Sequence, residues 1–497
     1  MKTIQQQIHS AIDTLHFKLA ITLLNTIPQD QKDAEDWMNE GNCYAACYEW
    51  TKAKEDYFQA LATNPSPAQK KKIHLRLVSL FTHTGDFKQA NKWYQEVLSN
   101  DDPNQFDANQ LYSGAILDYE SGNLQGALAL VDQLAHSPAI FSNRIRCEAW
   151  TLCGDLYSAL GEFQPAVDAY YKSLEFIKDY PVNWQNLRKA LVLNNLADIY
   201  EQFELYDQAE QIYQQAWEAM MLVDDLDIFD LDGYRLEILV SMANFYTLID
   251  ETQQAKNCLD QANIYVQHIE MPRALYWQSR IHYIDGLAEL YTENPKYNPF
   301  EKIFAAWQEQ SEYLTYCPAA SKEYLARAAY YAAYCYDENL ASNITQEELY
   351  LQALFEFKRC SFKDPKFFLF CIASIENELG NIEHVQNTNK AEQFYGQAIT
   401  DFEHYLKRWP EDQLAYISLT TAYLNYLGVA SLEQLSLQGG HLLDRFMEIL
   451  AHLYDDEQMQ DQAILAAQRV LDIESLYPTF INKLEQIHHL YCEQPFQ

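Results

Sequence analysis

The residues best suited to bind a metal lie near the C-terminus. His488 and His489 are adjacent, and Cys492 and Glu493 follow them closely. Imidazole, thiolate and carboxylate groups are the ligands that zinc prefers in proteins. On a helix of 3.6 residues per turn, however, adjacent side chains point about 100° apart, so the two imidazoles diverge. The pattern is more typical of a polar helix end, and we predict no metal site and no cofactor.

Signatures of catalysis are missing elsewhere in the sequence. The chain contains neither a G-x-x-x-x-G-K-[ST] nor a G-x-G-x-x-G phosphate loop, and no H-E-x-x-H zinc motif. It also lacks the G-x-S-x-G turn that presents a nucleophilic serine. We therefore predict no catalytic residues and a protein that is not an enzyme. The less favoured alternative is an enzyme whose site lies in residues 272–497, where the sequence pattern is least regular.

The charge balance is strongly acidic and excludes one class of partner. Lys and Arg total 35 against 71 Asp and Glu, which gives a formal net charge of −36. Nucleic-acid binding depends on basic patches that displace counterions from phosphates, so we predict no nucleic-acid partner. Much of the acidity is explained by solubility, because net charge keeps a tyrosine-rich surface from associating.

Cysteine usage and hydropathy indicate the compartment. Ten cysteines are scattered without a C-x-x-C pair, and Cys153 falls at an apolar position typical of a buried, reduced thiol. No window approaches the roughly 20 apolar residues of a membrane span, and the N-terminus does not have the apolar segment of a signal peptide. We expect a cytoplasmic protein that does not insert into a membrane.

A regular spacing of alanines organises the first half of the chain. The intervals between them are 37, 37, 39, 43 and 46 residues, and each alanine lies within a similar local pattern of aromatic and small residues. Self-similarity at such a period is typical of stacked repeats, each one supersecondary unit. The alanines are Ala53, Ala90, Ala127, Ala166, Ala209 and Ala255.

Small residues at fixed positions predict two antiparallel helices in each repeat. Gly41, Gly154 and Ala197 stand on the first helix where a facing helix must approach closely, and each alanine of the series is its counterpart on the second helix. A glycine five residues before the alanine marks the turn between the helices, because glycine tolerates positive φ. The three turn glycines are Gly85, Gly122 and Gly161.

These positions together resemble the tetratricopeptide repeat family, whose motif has Trp, Leu, Gly, Tyr, Ala, Phe/Tyr, Ala and Pro at fixed places in about 34 residues. The intervals here exceed that length, so we expect longer helices than the standard motif has. The unit at residues 34–65 matches at Trp37, Gly41, Tyr44, Ala53, Tyr57, Ala60 and Pro65. The unit that starts at Cys147 matches at Trp150, Gly154, Tyr157, Gly161, Ala166 and Tyr170, and a third good unit starts at Ala190.

The resemblance implies an all-α fold, a right-handed solenoid of antiparallel helix pairs. Residues 1–33 are expected to form an N-terminal capping helix pair, and residues 34–270 a regular array of about six repeats. Residues 271–497 are expected to hold divergent repeats, in which Ala391, Tyr395 and Ala398 recover the motif. Capping helices at about residues 447–492 would close the stack.

In this family the first helices line a concave groove that binds partners. At the corresponding positions of four units the sequence has several carboxylates and asparagines but no Lys or Arg. The family's clamp for acidic C-terminal peptides needs such basic residues, so the sequence argues against that ligand. The candidate partner-binding residues are Glu35, Asn42, Glu148, Asp155, Asn194, Asp198, Glu201, Glu237 and Asn244.

Two functions other than catalysis remain open from the sequence. The first is a non-catalytic protein–protein interaction scaffold whose acidic groove binds a basic or polar protein segment. The second is a regulator that responds to a peptide and acts through another protein, as some bacterial peptide receptors with this architecture do. The high tyrosine content also allows self-association through the last repeats.

Overall fold

The computed structural model describes residues 3–13, 16–99, 107–136, 142–180, 182–223, 231–292, 295–317, 320–341, 343–360 and 364–429, with five isolated positions between 445 and 453. Within these residues the chain forms 21 α-helices and no strand. The helices are α1 Ile4–Asp13, α2 Phe17–Leu24, α3 Ala34–Ala46, α4 Trp50–Ala62, α5 Pro67–His83, α6 Phe87–Leu98, α7 Ala108–Glu120, α8 Leu124–Ala135, α9 Asn143–Ala159, α10 Phe163–Glu175 and α11 Val182–Gln202. They continue as α12 Tyr206–Met221, α13 Leu231–Leu248, α14 Thr252–Val266, α15 Arg273–Leu290, α16 Pro299–Tyr316, α17 Glu323–Tyr334, α18 Gln346–Cys360, α19 Pro365–His384, α20 Thr388–Arg408 and α21 Gln413–Val429.

The predicted solenoid of helix pairs is confirmed. Each alanine of the repeat series is the fourth residue of the second helix of its pair, in α4, α6, α8, α10, α12 and α14. All six alanines are completely buried, and Ala391 takes the same place in α20. The first helices α9, α11 and α13 have 17, 21 and 18 residues, so the wide repeat spacing is taken up by long helices, as predicted.

Neighbouring pairs bury each other's apolar faces, so that the core is built serially. One hydrophobic cluster joins Tyr57 of α4, Val78 of α5 and Ala90 of α6. Such a core grows by repetition, because a single pair cannot bury its own apolar face. Cys153 is only 1% exposed within the next cluster, in agreement with the buried thiol expected from the sequence.

The turns inside the pairs have the predicted backbone conformation. Gly85, Gly122 and Gly161 have φ values of 71°, 87° and 79°, in the left-handed region that favours glycine. The equivalent positions of the other three repeats also have positive φ, although their residues are not glycine. These are Tyr48, Glu204 and Asp250, with φ of 62°, 61° and 62°.

The small residues of the first helices make room for a tyrosine of the second helix. A Cβ atom added to Gly154 would lie 2.7 Å from two ring atoms of Tyr170, and one added to Gly41 would lie 2.7 Å from Tyr57. Both tyrosines are about 2% exposed, so their rings have little space into which to move. The expected close approach of the helices is therefore an approach of a tyrosine ring to a glycine backbone.

The chain separates into two compact units, Met1–Tyr324 and Leu325–Gln497. The first unit contains the predicted N-terminal pair, in which Ala11 of α1 and Ala20 of α2 pack together with Cys43 of α3. The change of pattern predicted at residue 271 falls inside this unit, where α15 and α16 form one more pair. The predicted capping helices at 447–492 lie outside the described residues except for three isolated positions, as do His488 and His489.

Candidate functional site

We use the name inner face for the side of the first helices that carries the expected groove positions, and a tyrosine of the second helix reaches it in three places. The Tyr57 hydroxyl donates to Asn42 Oδ1 at 3.0 Å, and the Tyr170 hydroxyl donates to Asp155 Oδ1 at 2.5 Å. Tyr213 makes the same contact with Asp198. The rings of Tyr57 and Tyr170 pass beneath Gly41 and Gly154, so each hydroxyl meets the next side chain along the first helix.

Further hydrogen bonds join the inner face of α9 to that of α11. The Arg188 guanidinium contacts Glu148 Oε2 at 2.6 Å, and Asn195 Nδ2 lies 3.3 Å from Asp155 Oδ1. Glu148 also accepts a hydrogen bond from the Tyr180 hydroxyl at 3.4 Å. The predicted site residues Glu148 and Asp155 are therefore already engaged with groups of the protein itself.

The inner faces of α11 and α13 are joined in the same way. Asn244 Nδ2 lies 3.4 Å from Glu201 Oε1, and Glu201 Oε2 accepts a hydrogen bond of 2.8 Å from the Tyr213 hydroxyl. Asn194 is only 3% exposed and contacts Ser241 Oγ at 3.3 Å. Its amide is thus buried between α11 and α13.

The two aspartates of this face hold their protons unusually tightly. Desolvation raises the pKa of Asp155 to about 6, against the lowering effect of hydrogen bonds from Tyr170 and Asn195 and of the nearby Arg188 charge. Desolvation raises the pKa of Asp198 to about 8, and the negative charges of Glu201 and Glu237 raise it further. At neutral pH Asp198 is therefore mostly protonated.

A proton on Asp198 also completes the hydrogen bonding around Tyr213. The single Tyr213 hydroxyl lies within hydrogen-bonding distance of both Asp198 and Glu201. Because a phenol has one proton to donate, two ionised carboxylates would leave one contact without a hydrogen. A neutral Asp198 brings the missing proton to this cluster. It also leaves this part of α11 less negative than the sequence indicates.

The remaining predicted residues lie in different surroundings. Glu35 is exposed on α3 and pairs with His9, with 3.6 Å between Nε2 and Oε1, and no contact joins it to the carboxylates of α9 and α11. Glu237 is half-buried on α13, where its charge contributes to the raised pKa of Asp198. The structure therefore brings together Asp155, Asp198, Glu201, Glu237 and Asn244, with Glu148 beside them.

Sequence reasoning missed the arginines of the first helices. The repeat motif was counted from Cys147 and Ala190, but α9 begins at Asn143 and α11 at Val182, so their additional first turns carry Arg144 and Arg188. Spacing could have indicated the contact between Arg188 and Glu148, because the two residues are 40 positions apart, about one repeat.

The described residues include no cluster of three or more His, Cys, Asp or Glu side chains able to hold a metal ion. Nor does any helix among them have the length and apolar character needed to cross a membrane.

The tetratricopeptide repeat family model matches residues 148–180 and 192–222, which contain the Tyr170–Asp155 and Tyr213–Asp198 contacts. These two segments are tetratricopeptide repeats. No curated protein matches its sequence.

Solved structures resemble the chain at low identity. The pilF protein of Pseudomonas aeruginosa is 17% identical with a TM-score of 0.33, over 46% of this chain and 89% of that one. A Rap protein complexed with the competence and sporulation factor is 15% identical with a TM-score of 0.39, over 86% and 99% of the two chains. A signal transduction ATPase with a tetratricopeptide repeat sensor from Pyrococcus horikoshii is 12% identical with a TM-score of 0.44, over 96% of this chain and 63% of that one.

Proposed function

We propose that the chain is a non-catalytic scaffold whose inner face on α9, α11 and α13 binds a basic or polar segment of a partner protein. Tetratricopeptide repeats are consistent with a role in protein–protein interaction. The observation that carries the finer proposal is the cluster of Glu201, Glu237 and Asn244 beside a neutral Asp198. Its carboxylates attract a cation, and its amides suit a peptide backbone.

The internal contacts decide which residues a test should change. Asp155 and Asp198 accept hydrogen bonds from tyrosines beneath the first helices, so a lysine there would put a charge against a tightly packed ring. Glu201→Gln combined with Glu237→Gln removes two charges from the inner face and retains the shape of both side chains. Glu162→Gln combined with Glu218→Gln removes the same charge from exposed positions around α10 and α12.

A displayed library of random peptides, selected on the full chain at low salt, provides the measurement. We expect selection to enrich Lys, Arg and polar residues, and the selected peptides to lose about tenfold or more in affinity for the inner-face variant. The control variant should bind as the unchanged protein does. Selection of acidic or purely apolar peptides, or equal binding by the two variants, would refute the assignment of this face.

We further propose a cytoplasmic location. The buried thiols of Cys43, Cys147 and Cys153 support it, because such thiols are typical of a reducing compartment. Fractionation of the native cells with an antibody to the chain tests this directly, and recovery outside the cytoplasm would contradict it.

A further inference from the structure

A cavity in the first unit has a lining quite different from that of the acidic cluster. It encloses about 640 Å³ and lies between the N-terminal helices and the start of α9 and α11. We call it the arginine cavity, because Arg76 of α5 and Arg144 of α9 both line it. Asn42, Trp50 and Trp184 contribute to its walls, and Asp13 is the carboxylate in its described lining.

The two arginines of this cavity have no carboxylate partner among the described residues. Arg76 is exposed and makes no ion pair there, and the Arg144 guanidinium lies 5.9 Å from the centre of the Trp184 ring. Several other arginines form ion pairs, for example Arg188 with Glu148 and Arg327 with Asp364. Arg144 is exposed as well, so two solvent-exposed cations without a carboxylate partner among the described residues line one cavity of a protein with a net charge of −36.

The walls indicate what kind of molecule suits those cations. Guanidinium groups recognise carboxylates and phosphates through paired N–H donors. Trp50 and Trp184 provide flat apolar surfaces that suit a ring, and Asn42 adds a polar side chain. A volume of this size is within the usual range of small-molecule sites, about 300–1,000 Å³.

We propose that the arginine cavity binds a small aromatic anion, with its carboxylate or phosphate on Arg76 and Arg144 and its ring against the tryptophans. This site goes beyond the proposed partner-binding face, because neither Glu201 nor Glu237 is in its described lining. A ligand in this cavity contacts α3 and α5 as well as α9 and α11. It gives the first unit a second binding function beside the proposed partner-binding face.

Three small probes of matched shape test the proposal on the full chain. Phenylacetate carries a carboxylate, phenyl phosphate carries a phosphate, and phenylacetamide is the neutral counterpart of phenylacetate. Because Trp50 and Trp184 line the cavity, binding is read from tryptophan fluorescence and checked by calorimetry. We expect at least one anion to bind saturably and the amide to bind about tenfold more weakly or worse. Tighter binding of the phosphate or of the carboxylate identifies which anion the site prefers.

Matched variants separate the cavity from the overall charge. Arg76→Gln combined with Arg144→Gln should weaken the preferred anion about tenfold or more. Lys88→Gln combined with Lys189→Gln removes the same charge at exposed positions outside the described lining and should leave affinity unchanged. Circular dichroism confirms that both variants fold, and the single Arg76→Gln variant serves if the double variant does not. Equal binding of amide and anions, or equal losses in the two double variants, would overturn the proposal.

Discussion

The helix pairs α9–α10 and α11–α12 follow the same plan and differ in three respects. In both pairs a buried tyrosine of the second helix donates to an aspartate of the first helix, from Tyr170 to Asp155 and from Tyr213 to Asp198. The residue before the aspartate is Gly154 in one pair and Ala197 in the other. The turn residue with positive φ is Gly161 in one pair and Glu204 in the other.

The third difference concerns the surroundings of the two aspartates. Asp155 faces donors and a positive charge, since Asn195 and Arg188 reach it from α11. Desolvation raises the pKa of both aspartates, and the charges of Glu201 and Glu237 raise that of Asp198 further, so it is about 8 whereas that of Asp155 is about 6. The repeat motif thus fixes the tyrosine–aspartate contact, whereas the neighbouring residues decide whether the aspartate carries a charge. The following predictions test each difference in turn.

The largest expected loss of stability concerns Gly154, beneath which the ring of Tyr170 passes. Gly154→Leu places side-chain atoms where the ring of Tyr170 lies, since a Cβ alone would be 2.7 Å from that ring. Tyr170 is buried at 2% exposure and must be displaced together with its contact to Asp155. Overpacking of this kind should lower the free energy of unfolding by about 3 kcal/mol, measured by urea denaturation.

Gly428→Leu is the matched control, because a Cβ at that exposed position of α21 has no neighbour within 4 Å. It should leave stability unchanged or raise it by up to about 1 kcal/mol, since leucine favours a helix more than glycine does. If Gly154→Leu were as harmless as this control, the ring of Tyr170 would not be held tightly against the backbone of α9 at Gly154.

The next effect depends on pH and concerns Asp198. Its folded pKa of about 8 exceeds the ordinary aspartate pKa of about 3.9, so between these values the folded state keeps a proton that the unfolded state has lost. Stability therefore falls as pH rises through this window. Asp198→Asn removes the dependence and retains an acceptor for Tyr213, as Asn42 accepts from Tyr57. We expect stabilisation near zero at pH 4 that grows by roughly 1 kcal/mol per pH unit and levels off near pH 8.

Asp155→Asn provides the comparison within the same experiment. Because the pKa of Asp155 is about 6, Asp155→Asn should stabilise the protein less than Asp198→Asn does. Its effect should stop growing by about pH 7. Urea denaturation of the two variants at a series of pH values measures both windows. Identical pH profiles for the two variants would mean that the neighbouring charges do not distinguish the two aspartates.

The fold was predictable from the sequence because small residues at close contacts have few substitutes. A buried alanine at the fourth position of each second helix, and glycines at positive φ, follow from packing and backbone sterics, which act locally. The tyrosine beneath Gly154 also belongs to the motif. Its hydroxyl contact with Asp155 was not predicted, because the motif fixes where the ring lies and leaves the side chain next to the glycine free to vary.

The candidate site was predicted less completely, for reasons that lie between repeats. Asn194 is buried against Ser241 of α13, and the sequence of one repeat alone does not show this neighbour. Arg144 and Arg188 lie on additional first turns of α9 and α11, before the residues from which the motif was counted. Spacing of residues within a motif does not reveal contacts made 40 residues away, such as Arg188 with Glu148.

The smallest effect concerns the turn between the helices of each pair. Gly161 has φ of 79° and nothing within 4 Å of an added Cβ, so Gly161→Ala should cost about 1 kcal/mol through backbone strain alone. Glu204 holds φ of 61° with a side chain, so Glu204→Gly should relieve strain and gain about 0.5 kcal/mol after the entropy cost of glycine.

Glu204→Ala separates the backbone from the side chain, because it removes the carboxylate and keeps the Cβ atom that causes the strain. Thermal unfolding of the three variants should rank Glu204→Gly as the most stable, Glu204→Ala near the unchanged protein and Gly161→Ala as the least stable. Equal stabilities of Glu204→Gly and Glu204→Ala would show that the side chain, and not φ, distinguishes the turn of α11–α12 from that of α9–α10. In that case the left-handed backbone conformation that both turns adopt would not explain why residue 161 is a glycine.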